Sequence, residues 1–322
     1  MPDRFPPIEP YRTGLLEAGD GNRIYFEECG NPEGKPALFV HGGPGSGSSA
    51  GPRRNFDPEK YRIILFDQRN CGRSLPNASD PAVDLSANTT DHLIADMELL
   101  RTHLGVEQWL LYGGSWGSTL IVAYTHRHPE RVAQVVIAGI TLCRREDIVW
   151  LYQGVGRFFP EEWERFRDHV PATERGEDVF DLLAAYGRLA GDPDRGVRER
   201  ATVSWLTWED TVVSLEPNGK PNAYSNRPEA NKVAFVRLCA HYFSHAGFID
   251  GEALLADAGK LAGIPAVLIH GRFDLGGPLT NAWELHRAWP GSRLEIVEDS
   301  GHTGSGTMGA VSRAALDGFA RG

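Results

Sequence analysis

Residues 109–120 read WLLYGGSWGSTL. An apolar run stops on two glycines and a serine, and a helical stretch begins within a few residues. A chain that does this has to bend a buried strand sharply into a helix, which leaves the residue at the bend exposed at the end of a sheet. Small neighbours are needed there because the helix backbone passes close to the turn. The helix N-terminus beside the serine also favours developing negative charge.

The same kind of run recurs along the chain. Residues 37–40, 61–66, 132–138, 266–270 and 293–297 are short and largely apolar, the pattern of parallel strands buried on both faces. Residues 11–18 and 23–28 read as a hairpin joined at Gly19-Asp20-Gly21. Residues 90–104 carry Leu93, Met97, Leu100 and Leu104 near helical spacing, with Thr89, Thr90 or Asp91 as caps and Gly105 as the stop. A second helix is expected over 118–126 and a last one over 309–319. Strands alternating with helices predict an α/β fold built on a mostly parallel, doubly wound sheet.

The alternation lapses between about residues 144 and 248. That stretch is rich in Trp, Phe, Tyr, Arg and Glu, and it reads as helices over 148–158, 161–169, 177–189, 198–213 and 231–243. An irregular loop is expected over 216–228. The expected organisation is a core from 1–143 and 249–322, interrupted by a helical cap over 144–248. A chain of 322 residues suits one large core with an inserted lobe. No internal repeat of 20–50 residues is present.

Charge and cysteines narrow the function classes. The net charge of −10 gives nucleic acid no reason to bind. No run of about 18 apolar residues predicts a membrane helix. The first ten residues carry Asp3, Arg4, Glu9 and four prolines, which is not the pattern of a secretory leader. Cys29, Cys71, Cys143 and Cys239 form no CxxC pair, so free buried thiols and a cytoplasmic location are expected.

Chemistry begins at Gly113-Gly114-Ser115-Trp116-Gly117, a G-x-S-x-G. A bare match recurs by chance, but this one sits at the strand–turn–helix that a nucleophilic serine needs. A base and an acid are then sought in the order Ser, acid, His. Asp274 follows the strand at 266–270, and His302 lies in the loop past 293–297. Of the eleven histidines, only His302 has both the order and the loop. Glu298 and Asp299 compete as acids but lie too close to it in sequence. His302 would take the Ser115 proton and return it to the leaving group, while Asp274 would hold the imidazole. The loop FVHGGPG, after the strand at 37–40, can supply one backbone N–H to an oxyanion. Gly43 is favoured over Gly42 as that donor, with the Trp116 N–H as the second. No Gly-Lys-Ser/Thr follows the loop, which excludes a phosphate cradle.

Taken together, HGGPG (41–45), DQRNCGRS (67–74), GGSWGSTL (113–120), GRFDLGGP (271–278) and SGH (300–302) resemble the proline iminopeptidases, α/β-hydrolases that remove an N-terminal proline from peptides. The resemblance spans nearly the whole chain. It implies that Trp208 and Glu209, in TVSWLTWEDT, serve the substrate's free amine, with a carboxylate facing a protonated secondary amine. It implies substrate-binding roles for Gly42, Cys239, His241, Tyr242 and Phe243 as well. Two departures stand out. Cys239 occupies the place of the family's second glutamate, shortly before HYF, and Asn70 stands where glycine is common.

The expected activity is acylation of Ser115 by an N-terminal prolyl or similar small residue, followed by hydrolysis. Serine, imidazole and backbone dipoles supply this chemistry without a metal or organic cofactor. The expected partner is a small peptide, amide or ester, with neither nucleic acid nor membrane involved and the oligomeric state open. Cys239 motivates a second expectation, an amidase or esterase acting on a small specialised metabolite. A third, a binding protein on a dead hydrolase scaffold, conflicts with the intact Ser115, Asp274, His302 and oxyanion loop.

Overall fold

The computed structural model describes residues 4–214 and 222–321. Eight strands form one sheet: β1 (Arg12–Glu17), β2 (Arg23–Gly30), β3 (Lys35–Val40), β4 (Tyr61–Phe66), β5 (Trp109–Ser115), β6 (Val132–Ile140), β7 (Ala266–Gly271) and β8 (Ser292–Val297). Their spatial order is β1-β2-β4-β3-β5-β6-β7-β8. The β1–β2 and β2–β4 pairings are antiparallel, and the five pairings from β4 to β8 are parallel. The apolar runs explain this. Ile63, Ile64, Leu65 and Phe66 of β4 and Leu110 and Leu111 of β5 are fully buried, which requires cover on both faces.

That cover comes from α1 (Thr90–His103), α2 (Trp116–Arg127), α8 (Gly251–Ala256) and α9 (Leu279–Ala288) on one face and from α10 (Gly306–Phe319) on the other. Two of these, α8 and α9, were not expected from the sequence. The first is short and starts on an Asp250 side-chain cap, and the second starts directly after Pro278. Helix α2 begins two residues earlier than its pattern suggests, because the chain enters it at the turn itself.

Between β6 and α8 lie α3 (Arg145–Tyr152), α4 (Pro160–His169), α5 (Val179–Ala190), α6 (Arg195–Val212) and α7 (Glu229–Phe243). The single helix expected over 148–158 is two pieces. Arg144 and Asp147 cap α3 early, and the chain leaves helical geometry at Gln153 before a 3-10 turn at Gly154–Arg157. Aromatic side chains hold these helices together: Phe166 stacks on Tyr186 at 4.5 Å, and Tyr152 packs on Trp205 at 4.9 Å. Each such pair adds roughly 0.5–1.5 kcal/mol beyond its buried area. Part of the loop expected over 216–228, residues 216–221, lies outside the described residues.

The parallel strands point their C-terminal ends the same way. The loops after β3, β5, β7 and β8 therefore gather at one edge, where open α/β sheets place their ligands. Those four loops are the ones that carry HGGPG, Ser115, Asp274 and His302.

Candidate active site

The bend at Ser115 is as tight as the sequence demands. Ser115 takes φ 55° and ψ −131°, a conformation that costs a residue with a Cβ about 1–3 kcal/mol. The flanking glycines are sterically compelled. A Cβ on Gly113 would stand 2.4 Å from the Val40 carbonyl oxygen, and one on Gly117 would stand 2.3 Å from the same atom. Helix α2 thus runs against the end of β3, and only glycine permits it.

The Ser115 hydroxyl lies 3.0 Å from His302 Nε2. The other ring nitrogen, Nδ1, is 3.0 Å from each carboxylate oxygen of Asp274. With the carboxylate accepting from Nδ1–H, Nε2 is left to accept from the hydroxyl. The Asp274 side chain is wholly buried. Burial alone would raise its carboxyl. The His302 ring beside it, the hydrogen bond from that ring, the nearby His270 and the Gly277 N–H (2.9 Å) outweigh this and hold it below the usual carboxylate range. The competing acids are engaged elsewhere: Glu298 pairs with Arg272, and Asp299 accepts from Ser305 and Thr307.

The chain's relatives place it in a family. The α/β-hydrolase fold model matches residues 35–306. A probable proline iminopeptidase of Streptomyces coelicolor is 45% identical, covering 99% of this chain and 98% of its own. The proline iminopeptidase of Xanthomonas citri is 44% identical over 98% and 99%. The chain belongs to the proline iminopeptidase family. It is a hydrolase of the α/β-hydrolase fold. The solved proline iminopeptidase of Mycobacterium smegmatis, at 19% identity, shares the fold with a TM-score of 0.59 over 96% of this chain and 98% of its own.

The HGGPG loop after β3 lies against Ser115. Trp116 is the first residue of α2, so its N–H has no partner within the helix. The Gly42 carbonyl accepts from His41 Nδ1 at 2.9 Å and from the Ser46 N–H at 3.2 Å. Its peptide is trans, so the Gly43 N–H points the opposite way from that carbonyl. His41 can act as the donor because its Nε2 accepts the Gln68 N–H at 3.0 Å. Burial holds this imidazole below its ordinary range, which keeps it neutral and its tautomer fixed. The Gln68 side chain then ties two pieces together. Its Nε2 donates to the His41 carbonyl at 2.8 Å, and its Oε1 accepts from Trp116 Nε1 at 3.0 Å. Sequence reasoning quoted DQRNCGRS but gave Gln68 no role. The motif itself was the available signal. Asn70 in the same motif has φ 62°, a left-handed turn that asparagine tolerates, and it donates to Asn22 and Pro76.

A chamber of about 570 Å³, including its mouth, opens above Ser115. Gly43, Ser115, Trp116 and His302 line its floor, and Cys143, Ile148, Leu151, Val213 and Phe243 make an apolar wall. Thr141, Asp147, Glu209, Tyr224 and Gly276 complete it. The Tyr152 hydroxyl and the Trp205 N–H both donate to Glu209 Oε1, at 2.6 and 2.7 Å. Burial pushes the Glu209 carboxyl above its ordinary value, with those two donors and the nearby Arg227 pulling the other way. Its second oxygen accepts from no described residue.

Five of the residues expected at the substrate, Gly42, Trp208, Cys239, His241 and Tyr242, do not line this chamber. Trp208 turns its N–H to the Leu151 carbonyl and stacks on Phe166, because α6 points its Glu209 face inward and its Trp208 face into the helical layer. Cys239 is buried, with Sγ donating to the Pro44 carbonyl at 3.4 Å, and burial raises its thiol well above the usual range. His241 turns to the Asn88 carbonyl, and Tyr242 donates to Asn88 Oδ1 while packing edge-on to Trp116. These last two brace the site from outside. Phe243 does line the chamber. Gly42 lies against the serine, with a Cβ there 3.2 Å from Ser115 Cβ.

Proposed function

We propose that this protein is a serine aminopeptidase that releases N-terminal proline, with Ser115, His302 and Asp274 as nucleophile, base and orienting acid. The observation that carries the reading is the buried carboxylate of Glu209, in the same chamber wall as Ser115 and His302. The chamber's other carboxylate, Asp147, is already paired with Arg144, and a largely apolar pocket with Glu209 left to face the substrate suits a small ring bearing a charged secondary amine. Its curated relatives bear the name proline iminopeptidase.

In the proposed reaction, Ser115 attacks the prolyl carbonyl while His302 takes its proton. The Gly43 and Trp116 N–H groups stabilise the oxyanion. The imidazolium then protonates the leaving amine, and water repeats the sequence to free proline. The helices over 144–248 form the cap that closes the chamber, and a short peptide is the substrate. No described helix is long and apolar enough to cross a membrane; a cytoplasmic location remains our proposal.

The test compares proline p-nitroanilide with N-acetylproline p-nitroanilide, in wild type and in Ser115→Ala. Strong release from the first, little from the second and none in the variant support the reading. Equal turnover of both substrates would mean that no free amine is read.

Cys239 favours one alternative, an amidase or esterase of the same fold. A neutral buried thiol replaces the family's second amine-facing carboxylate. Rapid cleavage of p-nitrophenyl acetate with no proline release would select it.

A further inference from the structure

With the amine at Glu209 and the scissile carbonyl at Ser115, the leaving residue lies on the far side of Ser115 from the amine. A second cavity of about 950 Å³, including its mouth, shares Gly43, Ser115 and Tyr224 with the first and extends to Ser46 and Asn55. His302 Nε2 is 3.0 Å from the Ser115 hydroxyl, and Ser115 lines both cavities. The base that protonates the leaving amine is thus adjacent to this groove.

The groove has the opposite polarity from the chamber. No Asp or Glu is among the residues lining it, whereas Arg4 is. Arg227 stands beside it, with Nη2 donating to Ser46 Oγ at 3.5 Å and its guanidinium over the rings of Phe235 (4.3 Å) and Tyr224 (5.2 Å). Ser46 Oγ in turn lies 3.3 Å from where a Cβ on Gly43 would stand. Arg227 is therefore one side chain away from the oxyanion loop. Among the described residues neither Arg4 nor Arg227 has a carboxylate partner, although most arginines of this acidic chain do.

We propose that this groove receives the leaving residue and that Arg227, with Arg4 further out, binds its C-terminal carboxylate. In a dipeptide that carboxylate lies about one residue length, roughly 4 Å, beyond the scissile bond. A zwitterion with its amine at Glu209 and its carboxylate at Arg227 spans both cavities. Dipeptides with free termini are then the preferred substrate class. This inference rests on the aminopeptidase reading above.

The test uses prolyl-alanine and prolyl-alaninamide, which differ only in the carboxylate, with proline p-nitroanilide as a third substrate. Wild type is expected to show kcat/KM for the acid at least about tenfold above that for the amide, the size of one charge-assisted contact. The ratio falls in Arg227→Gln and in Arg4→Gln, and it approaches one in the double variant. Because both peptides are compared within one variant, partial loss of folded protein cancels. A wild-type ratio near one, or a ratio that survives both substitutions, overturns the proposal. Proline released from the anilide together with equal peptide rates sinks only this inference. No proline from any of the three sinks the aminopeptidase reading with it.

Discussion

Gln68→Met keeps the length and volume of the side chain but deletes both halves of its amide. The structure sets the size of the effect. The His41 carbonyl loses its 2.8 Å donor, and Trp116 Nε1 loses its 3.0 Å acceptor. His41 and Trp116 are 2% and 1% exposed, so water does not replace either partner. A buried group left unpaired costs about 1–3 kcal/mol, which puts the loss of stability for the two at roughly 2–6 kcal/mol. The catalytic effect is separate. Deleting an oxyanion donor costs about 10²–10³ in kcat. Here the donors remain and only their mooring is cut, so a loss of about 10–100-fold is expected. The assay measures kcat and KM on proline p-nitroanilide at a temperature where circular dichroism shows the variant folded. It also measures inhibition by prolinal, which adds to Ser115 as a tetrahedral oxyanion, and by proline, which does not. Prolinal affinity should fall in parallel with kcat, while proline affinity stays within about twofold. If kcat is unchanged, or if proline and prolinal weaken equally, Gln68 does not hold the oxyanion loop.

Glu209→Gln should lower kcat/KM on proline p-nitroanilide by about 10²-fold, mostly through KM, because a neutral amide replaces the charge that faces the amine; a change under threefold would remove Glu209 from amine binding. Ser115→Gly should be more stable than Ser115→Ala by about 1 kcal/mol, since both lose the hydroxyl but only glycine relieves φ 55°. Thermal melting would read this as a rise of roughly 2–4 °C, and an equal or lower Tm for the glycine variant would argue against strain at the turn. Asp274 has a carboxyl held below its usual range, so it contributes stability above the unfolded carboxylate value and loses it as pH falls through the folded one. Asp274→Asn should therefore flatten the acid limb of the stability–pH curve while cutting kcat by about 10⁴-fold. Urea midpoints between pH 2 and 6 test the first part, and parallel curves for variant and wild type would refute it.

The sheet was legible because its strands are buried on both faces, which leaves uninterrupted apolar runs such as residues 61–66. Helix α9 was not, since its buried residues Asn281, Ala282 and Leu285 are too few and too mixed to mark a face. Ser115, Asp274 and His302 were legible for a related reason. Each follows a readable strand, and chain order assigns each a loop. The cap offered no such frame. Trp208 and Glu209 are neighbours in sequence, but about 100° of helical rotation separates them, so one faces the chamber and the other the helical layer. Chain position alone does not say which.

The oxyanion loop shows why the DQRNCGRS segment belongs with the chemistry as much as with the fold. The groups proposed to do the work there are backbone N–H groups, and a backbone N–H cannot be aimed by its own side chain. It is aimed through its peptide plane, so whatever grips the carbonyl on the far side sets its direction. For Gly43 that grip is the neutral ring of His41, whose tautomer is set by the Gln68 N–H. For Trp116 the carbonyl across the peptide is that of Ser115, which accepts from the Ser118 hydroxyl at 2.6 Å. Gln68 therefore reaches the Gly43 donor through His41, and touches Trp116 only at its indole. A substitution at Gln68 should move Gly43 chiefly, and through the same His41 ring that a substitution at His41 removes. The double variant would then lose little more than Gln68→Met does.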